Sequence, residues 1–208
     1  MIITKLDPDG KQKVRIDLDG EYAFFLYAKE VRRLQLEEGS EVSSQLVNDI
    51  YQLILYPRAK EKALSLLKYR SRTRKELEDK LIQAGYPDTI VDSVLKFMEE
   101  YGFINDIMFV RSYIEIQGKK KSRMQLIQDL GRKGISKEMF QNIWEERPDG
   151  MEEQVLRELV EKRVRTKGPV TKDNFQKYYG HFARKGYPSS QIVKLLKEFQ
   201  KFDERENF

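Results

Sequence analysis

The pattern of hydrophobic and polar positions divides the chain into a short strand-rich start and a long helical remainder. Apolar-rich runs at residues 2–6, 13–18 and 21–27 are separated by segments that contain Asp-Gly. Glycine readily adopts the positive φ that tight hairpin turns require. The pattern therefore predicts a three-stranded antiparallel meander.

Two helices are predicted after the meander. Residues 28–36 form the first, and the second begins at a cap formed by Ser40 or Ser43 and continues to about Leu55, with apolar residues at helical spacing. Proline lacks the N–H that a helix interior needs, so Pro57 is expected to end the second helix.

Beyond Pro57 one hydrophobic pattern occurs three times, with spacings of 49 and 52 residues. Each copy has two apolar residues four positions apart, a glycine four residues later and an apolar residue or Tyr-Pro after the glycine. The copies are Leu77, Leu81 and Gly85; Leu126, Leu130 and Gly134; Tyr178, Phe182 and Gly186. This order is typical of a helix closed by a glycine in the left-handed conformation.

Each copy has one helical pattern before it, at residues 60–69, 107–117 and 151–162, and one after it. The last helix of the second copy is expected to finish early, near Arg147 and Pro148, and residues 203–208 are expected to form a frayed tail. The sequence thus predicts three tandem three-helix repeats.

The predicted protein is mainly α-helical, with a small N-terminal β-meander and helix region. The predicted domains are residues 1–56 for the N-terminal region and 57–106, 107–149 and 150–208 for the repeats, the last with its tail. Because units this small cannot bury their apolar faces alone, we expect them to stack into an elongated, curved array.

Composition argues against most catalytic chemistry. The chain has no cysteine, one histidine and one tryptophan, which excludes thiol catalysis and leaves no ordinary set of zinc ligands. We expect His181 to lie on a helix surface or to pack, and Trp144, in register with Leu95 and Leu196, to belong to the core. No phosphate-binding glycine loop is present. We therefore expect no enzyme, no cofactor and no metal.

The sequence also predicts a location. No apolar run approaches the length that spans a bilayer, and the first residues lack the features of a secretory signal. We expect a cytoplasmic protein with no membrane partner.

Positive charge is concentrated after the N-terminal region. The whole chain has 39 Lys and Arg against 34 Asp and Glu, yet residues 1–56 contain 7 against 10, so the remainder contains 32 against 24, a net charge of +8. Basic clusters recur between the first and second helices of each repeat. They are Lys68, Arg70, Arg72, Arg74 and Lys75; Lys119, Lys120, Lys121 and Arg123; and Lys162, Arg163, Arg165 and Lys167. Arg111 completes the candidate binding set.

If the repeats stack in similar orientation, these clusters line one side of the array. Such a basic stripe could follow a nucleic-acid backbone or a repeating acidic protein surface. The alternative is that each cluster is simply a solvated loop. Tyr69, Tyr113, Tyr178 and Tyr179 could stack on bases, although their helical spacing favours packing for most of them.

Several motifs together resemble the RecX regulatory proteins, bacterial modulators of the RecA recombinase. The first is Arg70-x-Arg72-x-Arg74-Lys75-Glu76-Leu77-x3-Leu81-x3-Gly85-Tyr86. The second and third are Gly102-Phe103-Ile104-Asn105-Asp106-x2-Phe109 and Lys121-Ser122-Arg123-x2-Leu126-x3-Leu130-x3-Gly134-Ile135. The resemblance covers roughly residues 58–200, and the third repeat departs most from the pattern.

The resemblance implies a non-enzymatic protein that lies in the groove of the RecA filament on single-stranded DNA. There it would hinder filament extension and damp ATP hydrolysis, strand exchange and co-protease activity, with the basic residues contacting the filament or its DNA. An array of repeats capped at both ends has no need to dimerise, so we expect a monomer. Two alternatives remain open at this point: a nucleic-acid-binding repeat protein that acts without RecA, and a helical scaffold for an unrelated partner.

Overall fold

The computed structural model describes residues 1–148 and 150–206, with only the helical backbone described for residues 201–206. The chain divides into two compact units, Met1–Asn105 and Asp106–Phe208. Within the described residues, no helix is long and apolar enough to cross a membrane.

The first unit begins with the predicted meander. Strands β1 (Ile3–Asp9), β2 (Lys13–Leu18) and β3 (Glu21–Tyr27) pair antiparallel in the order β1-β2-β3. β1 continues through Pro8, which pairs with Val14. Because β1 is an edge strand, the missing N–H of Pro8 need not remove a ladder hydrogen bond.

A short helix, α1 (Ala28–Arg33), follows the sheet, and a long helical segment comes next. The segment consists of α2 (Ser44–Asp49), a π-helical stretch (Ile50–Leu55) and α3 (Tyr56–Tyr69). The hydroxyl oxygen of Ser43 accepts a hydrogen bond from the Leu46 N–H at 3.1 Å, so Ser43 is the cap.

The prediction that Pro57 ends this helix is wrong. Pro57 lies in the first turn of α3, where its missing N–H is tolerated. The preceding turn is widened, since the Tyr56 N–H bonds to the Tyr51 carbonyl five residues back. The π-helical stretch thereby carries the chain past the proline without a break.

Helices α3, α4 (Arg74–Gln83) and α5 (Asp88–Glu100) form the first three-helix group and share one core with the sheet. The ring of Phe25 from β3 lies 5.3 Å from that of Tyr86. The Tyr22 hydroxyl donates to the Gly85 carbonyl at 2.6 Å. The glycine turn after α4 is therefore held against the sheet.

The second unit contains two further three-helix groups. The second group is α6 (Asp106–Gln117), α7 (Arg123–Gly131) and α8 (Lys137–Glu145); the third is α9 (Met151–Lys167), α10 (Phe175–Ala183) and α11 (Ser189–Glu206). Each group has its own apolar core. The mainly helical fold with a small sheet is thus confirmed, while the proposed domain boundaries stay a prediction, with Asp149 outside the described residues.

The end of α8 matches the sequence pattern, and the ends of α9 and α11 differ from it. α8 ends at Glu145, before Arg147, as predicted. α9 reaches Lys167 instead of Lys162, because no helix-breaking residue occurs before Gly168 and Pro169. α11 extends to Glu206, so the prediction of a frayed tail is wrong for residues 203–206. Residues 207 and 208 lie outside the described residues.

The three repeated glycines close their helices as the pattern predicts. Gly85, Gly134 and Gly186 have φ of 92°, 83° and 82°. The next residue donates its N–H to the carbonyl five positions back in each case: Tyr86 to Leu81, Ile135 to Leu130 and Tyr187 to Phe182. Tyr86, Ile135 and Tyr187 are buried. This combination is the Schellman ending.

The second and third groups touch where α7 begins. The hydroxyl of Ser122, the cap of α7, donates to the Lys185 carbonyl at 2.5 Å. The Arg123 N–H donates to the Glu152 carboxylate at 2.9 Å. Met124 lies directly against Gly186. The loop before α7 is therefore fixed next to the turn after α10.

Candidate interaction surface

The first basic cluster surrounds the turn between α3 and α4. Lys68 lies in the last turn of α3, and Arg74 and Lys75 lie in the first turn of α4. Thr73 is buried and caps α4: its hydroxyl oxygen accepts from the Glu76 N–H at 3.2 Å, and the Glu76 carboxylate accepts from the Thr73 N–H at 3.3 Å. This reciprocal capping box fixes where the basic side chains leave the backbone.

Most cations of the first cluster have carboxylate partners. The ion pairs join Arg70 to Glu76 at 3.2 Å, Arg74 to Glu99 at 3.1 Å, and Lys75 to Glu78 and to Asp79 at 3.0 Å each. Arg72 donates to the Leu66 carbonyl at 3.4 Å. Exposed ion pairs of this kind contribute about 1 kcal/mol or less, so an incoming anion can compete for these cations.

The lysines of the second cluster differ in whether they form an ion pair. Lys119 and Lys120 are exposed, and within the described part of the chain neither forms an ion pair. Lys121 pairs with Asp129 at 2.6 Å and lies 3.4 Å from the Tyr113 hydroxyl. The hydrogen bond between Lys121 and Asp129 raises the pKa of Lys121 and lowers the pKa of Asp129. A ligand would therefore compete with Asp129 for Lys121, whereas Lys119 and Lys120 are left for a ligand without such competition.

Arg123 is turned toward Trp144, which was expected in the core. The Trp144 ring is partly buried and stacks on Phe140 at 5.5 Å between centroids. The guanidinium groups of Arg123 and Arg147 lie 5.8 and 4.7 Å from the Trp144 ring. Trp144 thus packs against the core, and it also lines a polar cavity of about 410 Å³. Burial lowers the pKa of Arg147.

Arg111 extends from α6 and pairs with Glu146 at 2.6 Å. Both side chains are about half exposed, at 47% and 50%. Arg111 is therefore another cation that a ligand could reach only in competition with a carboxylate.

The third cluster lies on a helix, so its predicted position in a loop is wrong. Lys162, Arg163, Arg165 and Lys167 all belong to the last turns of α9, because that helix extends to Lys167. The Arg163 guanidinium lies 5.3 Å from the Tyr178 ring, and Arg165 pairs loosely with Glu161 at 3.9 Å. Lys162 and Lys167 are exposed.

Further cations, which the sequence prediction omitted, lie at the end of α10. Burial lowers the pKa of His181, and the positive charges of Arg163, Lys185 and Arg184 lower it further. Arg184 and Lys185 directly precede Gly186, as Arg132 and Lys133 precede Gly134. That recurrence is the signal by which the sequence could have revealed them. Since Ser122 bonds to Lys185, this group also adjoins the second cluster.

Comparison with known proteins adds the family. The model of the first three-helix domain of RecX matches residues 59–98. The regulatory protein RecX of Amycolatopsis mediterranei (strain U-32) is 32% identical over 146 residues, which cover 69% of this chain and 83% of that protein. The chain belongs to the RecX family.

Other RecX proteins match over almost the entire length. The regulatory protein RecX of Clostridium beijerinckii is 27% identical, with 98% of this chain and 97% of that protein covered. A crystal structure of regulatory protein RecX has the same fold, with a TM-score of 0.64, 22% identity, and coverage of 95% of this chain and 98% of that chain. The RecX resemblance drawn from the sequence motifs is confirmed.

Proposed function

We propose that this RecX-family chain binds the RecA filament on single-stranded DNA and lowers the filament's ATPase, strand-exchange and co-protease activities. It acts by occupying the filament groove, as a cytoplasmic monomer, and catalyses no reaction itself. The observation that carries the proposal is membership in a family whose similar members are named regulatory proteins. The distribution of charge supports it.

The exposed, unpaired cations supply the contacts. In the described part of the chain, Lys119, Lys120, Lys162 and Lys167 are exposed and form no ion pair. Lysines in this state can bind DNA phosphates or acidic side chains without first breaking an internal pair. Binding to phosphates also releases counterions, which favours association at low salt.

Multiple contact groups on one chain strengthen such binding. Once one basic cluster is bound to a repeating filament, the next cluster is held near its own site at a high effective concentration. The proposal includes contact of one molecule with several RecA protomers through its three-helix groups. Blocking the groove then requires no chemistry.

One observation favours a second candidate function, binding of nucleic acid without RecA. Tyr69 is 84% exposed and stands between Lys68 and Arg70 in the chain. An exposed ring between cations is suited to stack on an unpaired base while the cations hold the phosphates. Direct DNA contact by the first cluster would be compatible with either function.

The test is RecA-dependent ATP hydrolysis on single-stranded DNA, measured while this protein is added up to stoichiometric amounts. We expect hydrolysis to fall. An unchanged rate would refute the proposal, and binding to naked single strands with an unchanged rate would favour the second function. A lack of both effects would leave a scaffold for an unrelated partner.

A further inference from the structure

Three aromatic side chains form an exposed cluster at the end of α5 in the first unit. The rings of Phe97 and Tyr101 stack with centroids 4.3 Å apart, and Phe103 lies 6.3 Å from Phe97 with its plane tilted by 20°. Tyr101 is 69% exposed and Phe103 is 49% exposed. Large contiguous apolar rings on a surface are typical of interaction sites, and we call this set the three-ring cluster.

The backbone holds the three-ring cluster in place. The Tyr101 N–H donates to the Phe97 carbonyl at 3.1 Å, and the Phe103 N–H donates to the Met98 carbonyl at 2.8 Å. Gly102, with φ of 70°, makes the turn that allows both bonds. Because Met98 is buried, the cluster is anchored to the core. A surface ordered in this way loses little entropy on binding.

The electrostatic surroundings favour a positive ligand. The faces of aromatic rings are negative, and the C-terminus of a helix such as α5 carries a partial negative charge. The Glu100 carboxylate is 58% exposed and pairs only loosely with Lys96, at 3.9 Å. The Lys60 ammonium lies 3.7 Å from the Phe97 centroid, so Phe97 already holds a cation of the chain itself. The Tyr101 ring, which is 69% exposed, is the one that a ligand can reach.

We propose that the three-ring cluster binds a lysine or arginine side chain on the surface of a protein partner, with Tyr101 as the anchor. This inference rests on the proposed function, from which its partner, the RecA filament, is taken. It adds a contact whose charge preference is opposite to that of the basic clusters. The basic clusters bind anions and the three-ring cluster binds a cation. Two contacts of opposite sign fix the orientation of the protein on its partner.

The experiment measures the affinity of the full chain for RecA filaments assembled on oligo(dT) with a non-hydrolysable ATP analogue. Tyr101→Ala should raise Kd about tenfold, since a desolvated cation–π contact and its buried ring area are lost. Tyr101→Phe keeps the ring and should stay within about twofold of the wild type. Glu100→Lys should also weaken binding, because it repels the incoming cation and leaves every ring in place.

The matched control is Leu53→Ala, since Leu53 is 74% exposed on the same unit. It should leave filament affinity unchanged. Equal affinity of the wild type, Tyr101→Ala and Glu100→Lys would overturn the inference and leave the proposed function intact, because wild-type binding is read in the same titration.

Two further results would show that the three-ring cluster binds a different ligand. If Tyr101→Ala weakens binding to naked oligo(dT) as much as it weakens filament binding, the rings contact bases and the inference is overturned. If the variant instead abolishes self-association seen by analytical ultracentrifugation, the occupant is a second copy of the chain, which also overturns it. We expect neither change.

Discussion

Replacing Gly186 with alanine tests the contact between the two three-helix groups of the second unit. Gly186 has φ of 82°, and a Cβ built on it would lie 2.6 Å from the Met124 Sδ and 2.8 Å from the Met124 Cβ. Gly150 has nearly the same φ, 83°, but a Cβ there would have nothing within 4 Å. The two glycines therefore share a backbone cost and differ in packing.

The difference between the two variants isolates the packing. A non-glycine residue in the left-handed region costs about 1–2 kcal/mol, and both alanine variants incur this cost. Inserting a methyl group into filled space costs about 1–3 kcal/mol more, which applies only to Gly186→Ala. The Met124 side chain is flexible, but its Cβ is attached to the backbone of α7. Hence the clash cannot be relieved by a rotamer change alone.

The assay is urea unfolding followed by the fluorescence of Trp144, the single tryptophan of the chain, which reports on the second unit. Gly186→Ala should lower the free energy of unfolding by about 1–3 kcal/mol more than Gly150→Ala does. Adding Met124→Ala removes Sδ and Cγ and should restore part of the loss. Equal destabilisation by the two glycine variants would refute the described contact.

Two further predictions concern a helix cap and a histidine. Thr73→Ala should destabilise the first unit by about 1 kcal/mol, because the buried cap of α4 is lost, whereas Thr73→Ser should retain most of the stability. Thermal unfolding followed by circular dichroism compares the two variants. Equal stability of Thr73→Ala and Thr73→Ser would contradict the capping role. Since the folded state lowers the pKa of His181, the unfolded chain binds the proton more tightly, and stability should fall as pH drops below about 6.5. In urea titrations at several pH values, the free energy of unfolding of His181→Gln should fall less at low pH than that of the wild type. If the variant shows the same pH dependence of stability as the wild type, another group is responsible.

The repeat pattern could be predicted from the sequence because it depends on local chemistry. A glycine four residues after the second apolar position specifies a Schellman ending, and Leu77, Leu126 and Tyr178 are all buried as their register requires. The meander was predictable for the same reason: its turns are encoded by short Asp-Gly segments. These features need no knowledge of tertiary contacts.

The candidate site was less predictable because it depends on what each cation meets after folding. Lys119 and Lys121 look alike in the sequence, yet only Lys121 has Asp129 within reach, eight residues along the chain. The position of the third cluster depends on where α9 ends. The prediction that Pro57 ends a helix is wrong because a π-helical stretch precedes the proline and the helix continues. Such outcomes are decided by packing and by competing helix geometries, which residue patterns do not specify.

The central claim is that exposed, unpaired lysines attach this RecX-family protein to the RecA filament. The most direct test measures inhibition of RecA ATP hydrolysis on single-stranded DNA across a range of salt concentrations, for the wild type and for Lys119→Gln/Lys120→Gln. The matched control, Lys11→Gln/Lys29→Gln, removes two exposed lysines from the acidic N-terminal region.

Each lost phosphate contact should reduce the slope of log affinity against log salt by about 0.7. The account therefore predicts weaker inhibition and a slope shallower by up to about 1.4 for Lys119→Gln/Lys120→Gln, with the control variant equal to the wild type. The same midpoint and slope for all three proteins, or a wild type that leaves hydrolysis unchanged, would contradict the account.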